Sequence, residues 1–169
     1  MTNIDPYFCK FEGIGYPSHY KKILLPAGFS IYLLCDTSDK RFIFVHSDRQ
    51  EFNLSSARDN QDVVRLFGTL SKRLTECEKA NDLFDYYDSS ELHEAHRAKF
   101  DGNDVPVYRI RKADLRLYLI FIGSDAVLFR LATKRQDKIN QSEKNTLDNR
   151  VKAIYLYPVN SKDFLRRVL

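Results

Sequence analysis

The segment VYRIRKADLRLYLIF, residues 107–121, sets Arg109, Arg111 and Arg116 among apolar and aromatic side chains in the most strand-like part of the chain. A guanidinium stays charged at any working pH and offers a planar fork of donors that fits a phosphate. Spaced alternately with apolar residues, such arginines make one face of a strand basic. Arg130 and the run Lys134-Arg135-Gln136-Asp137-Lys138 follow downstream. Just upstream, His93, Glu94 and His96 supply groups able to move a proton near neutral pH. The competing reading of the two histidines is the polar face of a short helix. A metal would need a third ligand beside His93 and His96, and none accompanies them, so neither metal nor other cofactor is expected.

The charge distribution supports an anionic partner. Between Arg97 and Lys138 ten Lys or Arg stand against five Asp or Glu, a net of +5, in a chain whose total is +4. The remainder is therefore slightly acidic. Concentrated positive charge on a near-neutral protein is the footprint of nucleic acid, with a solvated sheet rim as the competing account. Apolar residues make up 43% of the sequence, yet no run approaches the roughly 18 residues of a membrane span. The opening MTNIDPYFCK lacks a basic stretch followed by an apolar one, which predicts no secretory signal. Cys9, Cys35 and Cys77 are widely separated, as expected for buried thiols in a reducing, cytoplasmic setting.

The elements that must position these groups follow from periodicity. Residues 1–20 show no sustained period, and ILLPAGFSIYLLCD and KRFIFVHSD read as short strands. Val63, Phe67, Leu70, Leu74 and Cys77 recur at helical spacing behind an Asp59-Asn60 cap, which predicts an amphipathic helix weakened by Gly68. A second helix is expected from Ser90 to Lys99, closed by Gly102. Strands over 105–111, 115–122 and 126–133 form an antiparallel meander, followed by a helix from Ser142 to Ile154 and a further helical turn in NSKDFLRRVL. The fold class is α+β: two helices packed on a small antiparallel sheet, a C-terminal helix, and an N-terminal extension over 1–40 before a domain of 41–169.

Register then places the arginines. Pairing Ile110 with Leu117 and Tyr108 with Leu119 sets Arg111 opposite Arg116 and Arg109 opposite Tyr118. A Gly123-Ser124-Asp125 loop pairs Phe121 with Val127, Leu119 with Phe129 and Leu117 with Leu131, leaving Arg130 beside Tyr118. One face then carries Tyr108, Ile110, Leu115, Leu117, Leu119, Phe121, Val127, Phe129 and Leu131 against the long helix. The other, exposed face carries Arg109, Arg111, Arg116, Tyr118 and Arg130. Like charges opposite one another cost about 0.2–1 kcal/mol each. Either a bound phosphate relieves them, or Asp101, Asp104 or Asp114 folds over to pair them.

VYRIRKADLRLYLIF with VLFRLATKRQDKINQSEKNTLDNR resembles the core of the RelE/ParE superfamily of bacterial toxins, closest to its HigB-like and phage-derived members. The resemblance rests on Tyr108-Arg109-Ile110-Arg111, Arg116-Leu117-Tyr118, the basic run from Lys134 to Lys138, and Glu143 ahead of the last helix. It implies the toxin of a type II toxin-antitoxin pair, a metal-independent endoribonuclease that cuts mRNA on the ribosome and is neutralised by a cognate antitoxin. By that resemblance Arg109, Arg111, Tyr118 and Arg130 contact RNA, while Arg116, Lys134, Arg135, Lys138 and His96 serve catalysis, with His93 and Glu94 as other acid–base candidates. Where some relatives carry an aromatic after the last strand, this chain has Lys138-Ile139-Asn140-Gln141. Two alternatives share the fold: an inhibitor of DNA gyrase, and a non-catalytic RNA-binding module.

Overall fold

The computed structural model describes residues 7–10, 13–14, 21–22, 28–35, 47–48, 61–133 and 139–156. Strands β1 (Tyr7–Lys10) and β4 (Ile31–Cys35) join β5 (Leu92–Phe100), β6 (Asn103–Lys112), β7 (Leu115–Ile122) and β8 (Asp125–Thr133) in a six-stranded sheet of order β1-β4-β8-β7-β6-β5. β2 (Gly13–Ile14) and β3 (Lys21–Lys22) form a separate ribbon. Helix α1 (Gln61–Leu74), a 3-10 segment (Ala80–Asp85) and helix α2 (Gln141–Leu156) complete the α+β architecture. The sheet is mixed, because β4 runs parallel to β8 and antiparallel to β1. Thus β1 and β4, both within the first 40 residues, are integral strands of the sheet.

The expected helix from Ser90 to Lys99 is instead β5, paired antiparallel with β6. A bulge at Ala95 puts His93 and His96 on the same face of β5, so a strand mimics the three-residue spacing of a helix. The overlooked signal was Asp101-Gly102. Both residues adopt positive φ, 49° and 77°, the two-residue hairpin turn that Asp-Gly favours, and Gly102 is not a helix cap. The end of the expected RFIFVHSD strand, Ser47 and Asp48, is helical, while its residues 41–46, the Asp59-Asn60 cap and the tail from residue 160 lie outside the described residues.

The meander stands as expected from β6 to β7, with Tyr108, Arg109, Ile110 and Arg111 opposite Leu119, Tyr118, Leu117 and Arg116. Between β7 and β8 the expected loop is shorter. Ile122 pairs with Asp125 across a Gly123-Ser124 turn, so Phe121 meets Ala126 and Leu119 meets Leu128. A bulge at Phe129 then restores Tyr118 to Arg130 and Leu117 to Leu131. The extra residue keeps Arg130 out of the leucine layer, where an unpaired guanidinium would be costly.

This register gives two apolar layers. On the first face Ile110, Leu117, Leu119, Leu128 and Leu131 pack with Val63, Phe67, Leu70 and Leu74 of α1. On the second, Val107, Tyr118, Ile120, Val127 and Phe129 pack with Leu147, Val151 and Ile154 of α2. Val127 and Phe129 therefore belong to the second face, and β7 is buried on both sides from Leu115 to Ile120. The arginine-bearing face is not an open surface; α2 covers much of it.

Candidate nucleic-acid interface

The sheet lines up His93, Arg109, Tyr118 and Arg130 in one cross-strand row over β5, β6, β7 and β8, with Arg111 and Arg116 paired in a neighbouring row. All six project from the second face, and α2 divides them. Arg130, at the α2 end, donates from Nε and Nη2 to the Glu143 carboxylate at 3.0 Å each, and from Nη1 to Asp48. Asp48 is fully buried and accepts also from Arg150 at 2.7 and 3.0 Å and from the Leu131 backbone N–H at 3.1 Å. The fork on Glu143 and the Asp48 contact hold the Arg130 guanidinium charged, although burial opposes it. Arg130 is thus a structural cation here, not part of an exposed phosphate-binding face.

Arg109, Arg111 and Arg116 form the other end of the set, and among the described residues none of them makes an ion pair. Asp101, Asp104 and Asp114 do not fold over to pair with them. Arg111 is exposed and Arg109 half-buried. Arg116 is 5% exposed, and its Nη1 donates to the Ala113 and Leu115 carbonyls at 2.8 Å each. Burial lowers the Arg116 pKa, and repulsion from Arg109 and Arg111 lowers it further. The β6–β7 turn carbonyls therefore hold its guanidinium in the corner, where the Asp114 charge offsets part of the repulsion without forming an ion pair.

Arg109 Nη2 lies 3.1 Å from His93 Nε2. A guanidinium can only donate, so Nε2 accepts and is unprotonated. Burial depresses the His93 pKa below its ordinary value, and Arg109, Arg111 and Arg116 add to the effect. Tyr118, opposite Arg109 across β6 and β7, has a phenol whose pKa burial raises, although Arg109 opposes the shift. The corner thus combines three cations, a neutral imidazole and a protonated phenol. That set can bind a phosphodiester and accept a proton beside it.

His96 sits elsewhere in the layer. Its Nε2 is 2.7 Å from an Asp148 carboxylate oxygen on α2, and its side chain is 14% exposed. It fastens the helix to β5 and does not join the arginine corner. Lys134, Arg135 and Lys138 lie outside the described residues. Glu143 is committed to Arg130.

Sequence reasoning missed Asp48, Arg150 and the contact that joins His93, and not His96, to Arg109. Arg150 had a signal: it falls beside Val151 on the stripe running from Leu147 to Ile154, where a charge demands a buried partner. Among the described residues no group of His, Cys, Asp and Glu could hold a metal ion, and no helix is long and apolar enough to cross a membrane. No family model, curated protein or solved structure matches the chain.

Proposed function

We propose that this chain is a toxin of the type II toxin-antitoxin class that cleaves mRNA on the ribosome, using the His93–Arg109–Arg111–Arg116 corner. One observation carries the reading: three arginines without a carboxylate partner among the described residues surround an imidazole that is held neutral. Cleavage of RNA without a metal requires removal of the 2′-hydroxyl proton, stabilisation of the charged phosphorane, and protonation of the departing 5′-oxygen. In this reading Arg111 and Arg109 engage the phosphate. A phosphate oxygen is a stronger acceptor than neutral imidazole. Substrate therefore draws the Arg109 donor away and frees His93 Nε2 to take the 2′-hydroxyl proton. The 2′-oxygen bonds to phosphorus, the bond to the 5′-oxygen breaks, and that oxygen takes its proton from water. Arg116, fixed by the turn carbonyls, supplies a preorganised charge behind them. Lys134, Arg135 and Lys138 remain in the proposal through the family resemblance, as cations that meet the RNA, and a cognate antitoxin would silence the protein.

The test is induced expression in a bacterium, reading growth and message ends by primer extension for the wild type, His93→Gln and Arg109→Gln/Arg111→Gln. Growth arrest with discrete cuts in translated messages, lost in both variants, is the expected result. Arrest with intact messages would replace this reading with a gyrase-type inhibitor. Absence of arrest at equal expression would leave a non-catalytic binding module.

A further inference from the structure

On the first face of the sheet, away from the arginines, three aromatic rings meet at the surface. Phe84 of the 3-10 segment stands edge-on to Tyr108 with ring centroids 5.1 Å apart. Phe121 lies 5.5 Å from Phe84 and 5.3 Å from Tyr108, so the three rings form one closed set. Phe84 is 42% exposed, and Tyr108 and Phe121 are half-buried. Scattered single apolar residues on a surface need no explanation, but a contiguous aromatic cluster marks a place where another surface rests.

The stretch of chain that carries Phe84 is acidic, and this says what kind of surface. The stretch from Glu76 to Glu94, which contributes Phe84, holds seven Asp or Glu (Glu76, Glu78, Asp82, Asp85, Asp88, Glu91, Glu94) and one Lys. Some of these carboxylates have local duties. Asp82 accepts from the Glu78 and Lys79 backbone N–H groups, Asp88 accepts from those of Ser90 and Glu91, and Glu94 pairs with Arg97. Asp85 is exposed, directly follows Phe84, and has no ion pair among the described residues. Aromatic faces carry negative quadrupole potential and attract Lys and Arg, and neighbouring carboxylates reinforce the attraction. An anionic ligand is repelled from the same place.

We infer that the Phe84–Tyr108–Phe121 cluster is a docking surface for a basic polypeptide segment of a partner protein, which seats an apolar side chain against Phe84 and basic side chains toward Asp85. This surface works independently of the RNA reading, because it lies on the opposite side of the sheet from Arg109 and Arg111.

A Leu/Lys amphipathic peptide and its Leu/Glu counterpart serve as probes, followed by fluorescence anisotropy against the full chain. The Leu/Lys peptide should bind the wild type, and Phe84→Ser and Asp85→Lys should each weaken binding about tenfold, as loss of a central anchor does. Arg109→Gln/Arg111→Gln should leave peptide binding unchanged while removing RNA binding, which separates the two surfaces. Equal binding of the Leu/Glu peptide, or unchanged Leu/Lys binding in Phe84→Ser shown by circular dichroism to be folded, overturns the inference. Self-association of the wild type that Phe84→Ser abolishes would also overturn it, since the occupant would then be a second copy of this chain.

Discussion

Arg109 donates to the one ring nitrogen of His93 that a general base would use, at 3.1 Å, and so keeps that nitrogen unprotonated in the absence of substrate. If His93 accepts the 2′-hydroxyl proton, His93→Gln lowers the cleavage rate by about 10²–10⁴-fold, the usual contribution of a general base. The wild-type rate should fall on acidification only below the depressed His93 pKa, under its ordinary 6.5. Stability follows the same sign. A histidine whose pKa is lower folded than unfolded adds stability that is complete above the unfolded value and is lost as pH falls through the folded one. On acidification from pH 7 to below 6.5 the urea midpoint of the wild type should therefore fall relative to that of His93→Gln, and an unchanged difference would contradict the assignment.

Arg111 is exposed and makes no ion pair among the described residues, so Arg111→Gln should leave the unfolding free energy within about 0.5 kcal/mol of wild type. Its binding to single-stranded RNA should weaken at every sequence, and the salt slope should drop by roughly one phosphate contact. Titrations at several salt concentrations measure both. An unaltered slope would remove Arg111 from the interface.

Asp48 accepts from Arg130, Arg150 and the Leu131 backbone in a site without solvent exposure. Asp48→Asn removes the carboxylate that the buried Arg150 and the mostly buried Arg130 share. Breaking a buried pair by removing one member costs about 3–5 kcal/mol, and chemical denaturation should show a loss of that size. A loss under about 1 kcal/mol, typical of an exposed pair, would mean the clasp is solvated.

Ala113 holds a φ of 51° at the β6–β7 turn, a conformation that strains an L side chain. Ala113→Gly should raise stability by up to about 1 kcal/mol, because glycine removes the strain although it loosens the unfolded chain. Destabilisation would show that the Ala113 methyl makes a contact worth more than the strain.

Cys77 is 2% exposed, its thiol lies 3.4 Å from the Arg73 carbonyl, and burial with Asp82, Asp85 and Glu76 nearby raises its pKa to about 11. Native protein at pH 8 should therefore leave the Cys77 thiol unreacted with a thiol reagent until denaturant is added. Rapid modification of Cys77, located by peptide mapping, would disprove this.

The sequence made the β6–β7 register legible because alternation and charge burial agree there, residue by residue from Tyr108 to Arg111. Helices α1 and α2 were legible for the same reason, each carrying a clear apolar stripe. What stayed hidden were the two bulges. Ala95 and Phe129 each add one residue that shifts the period of their strand, turning β5 into an apparent helix and moving Val127 and Phe129 to the other face. The second face reads as open in the sequence because its cover is tertiary: Asp48 is distant in sequence from the Arg130 that it neutralises, and α2 from the strands that it packs on. His93 and His96 look equivalent in the chain, and only the strand pairing sends one to Arg109 and the other to Asp148.

Asp48 also imposes an order on synthesis. It precedes Arg130 by 82 positions and Arg150 by 102, so a growing chain presents the carboxylate long before either cation exists. Until then its favourable environment is water. The arginine corner needs only β5, β6 and β7, whose hairpins are local and can close during elongation. The α2 side closes last, when Arg150 arrives and draws Asp48 inward. A chain released before Arg150 would carry its anion-binding corner on a sheet with one layer missing, exposing Ile120, Val127 and Phe129 to whatever else is nascent nearby.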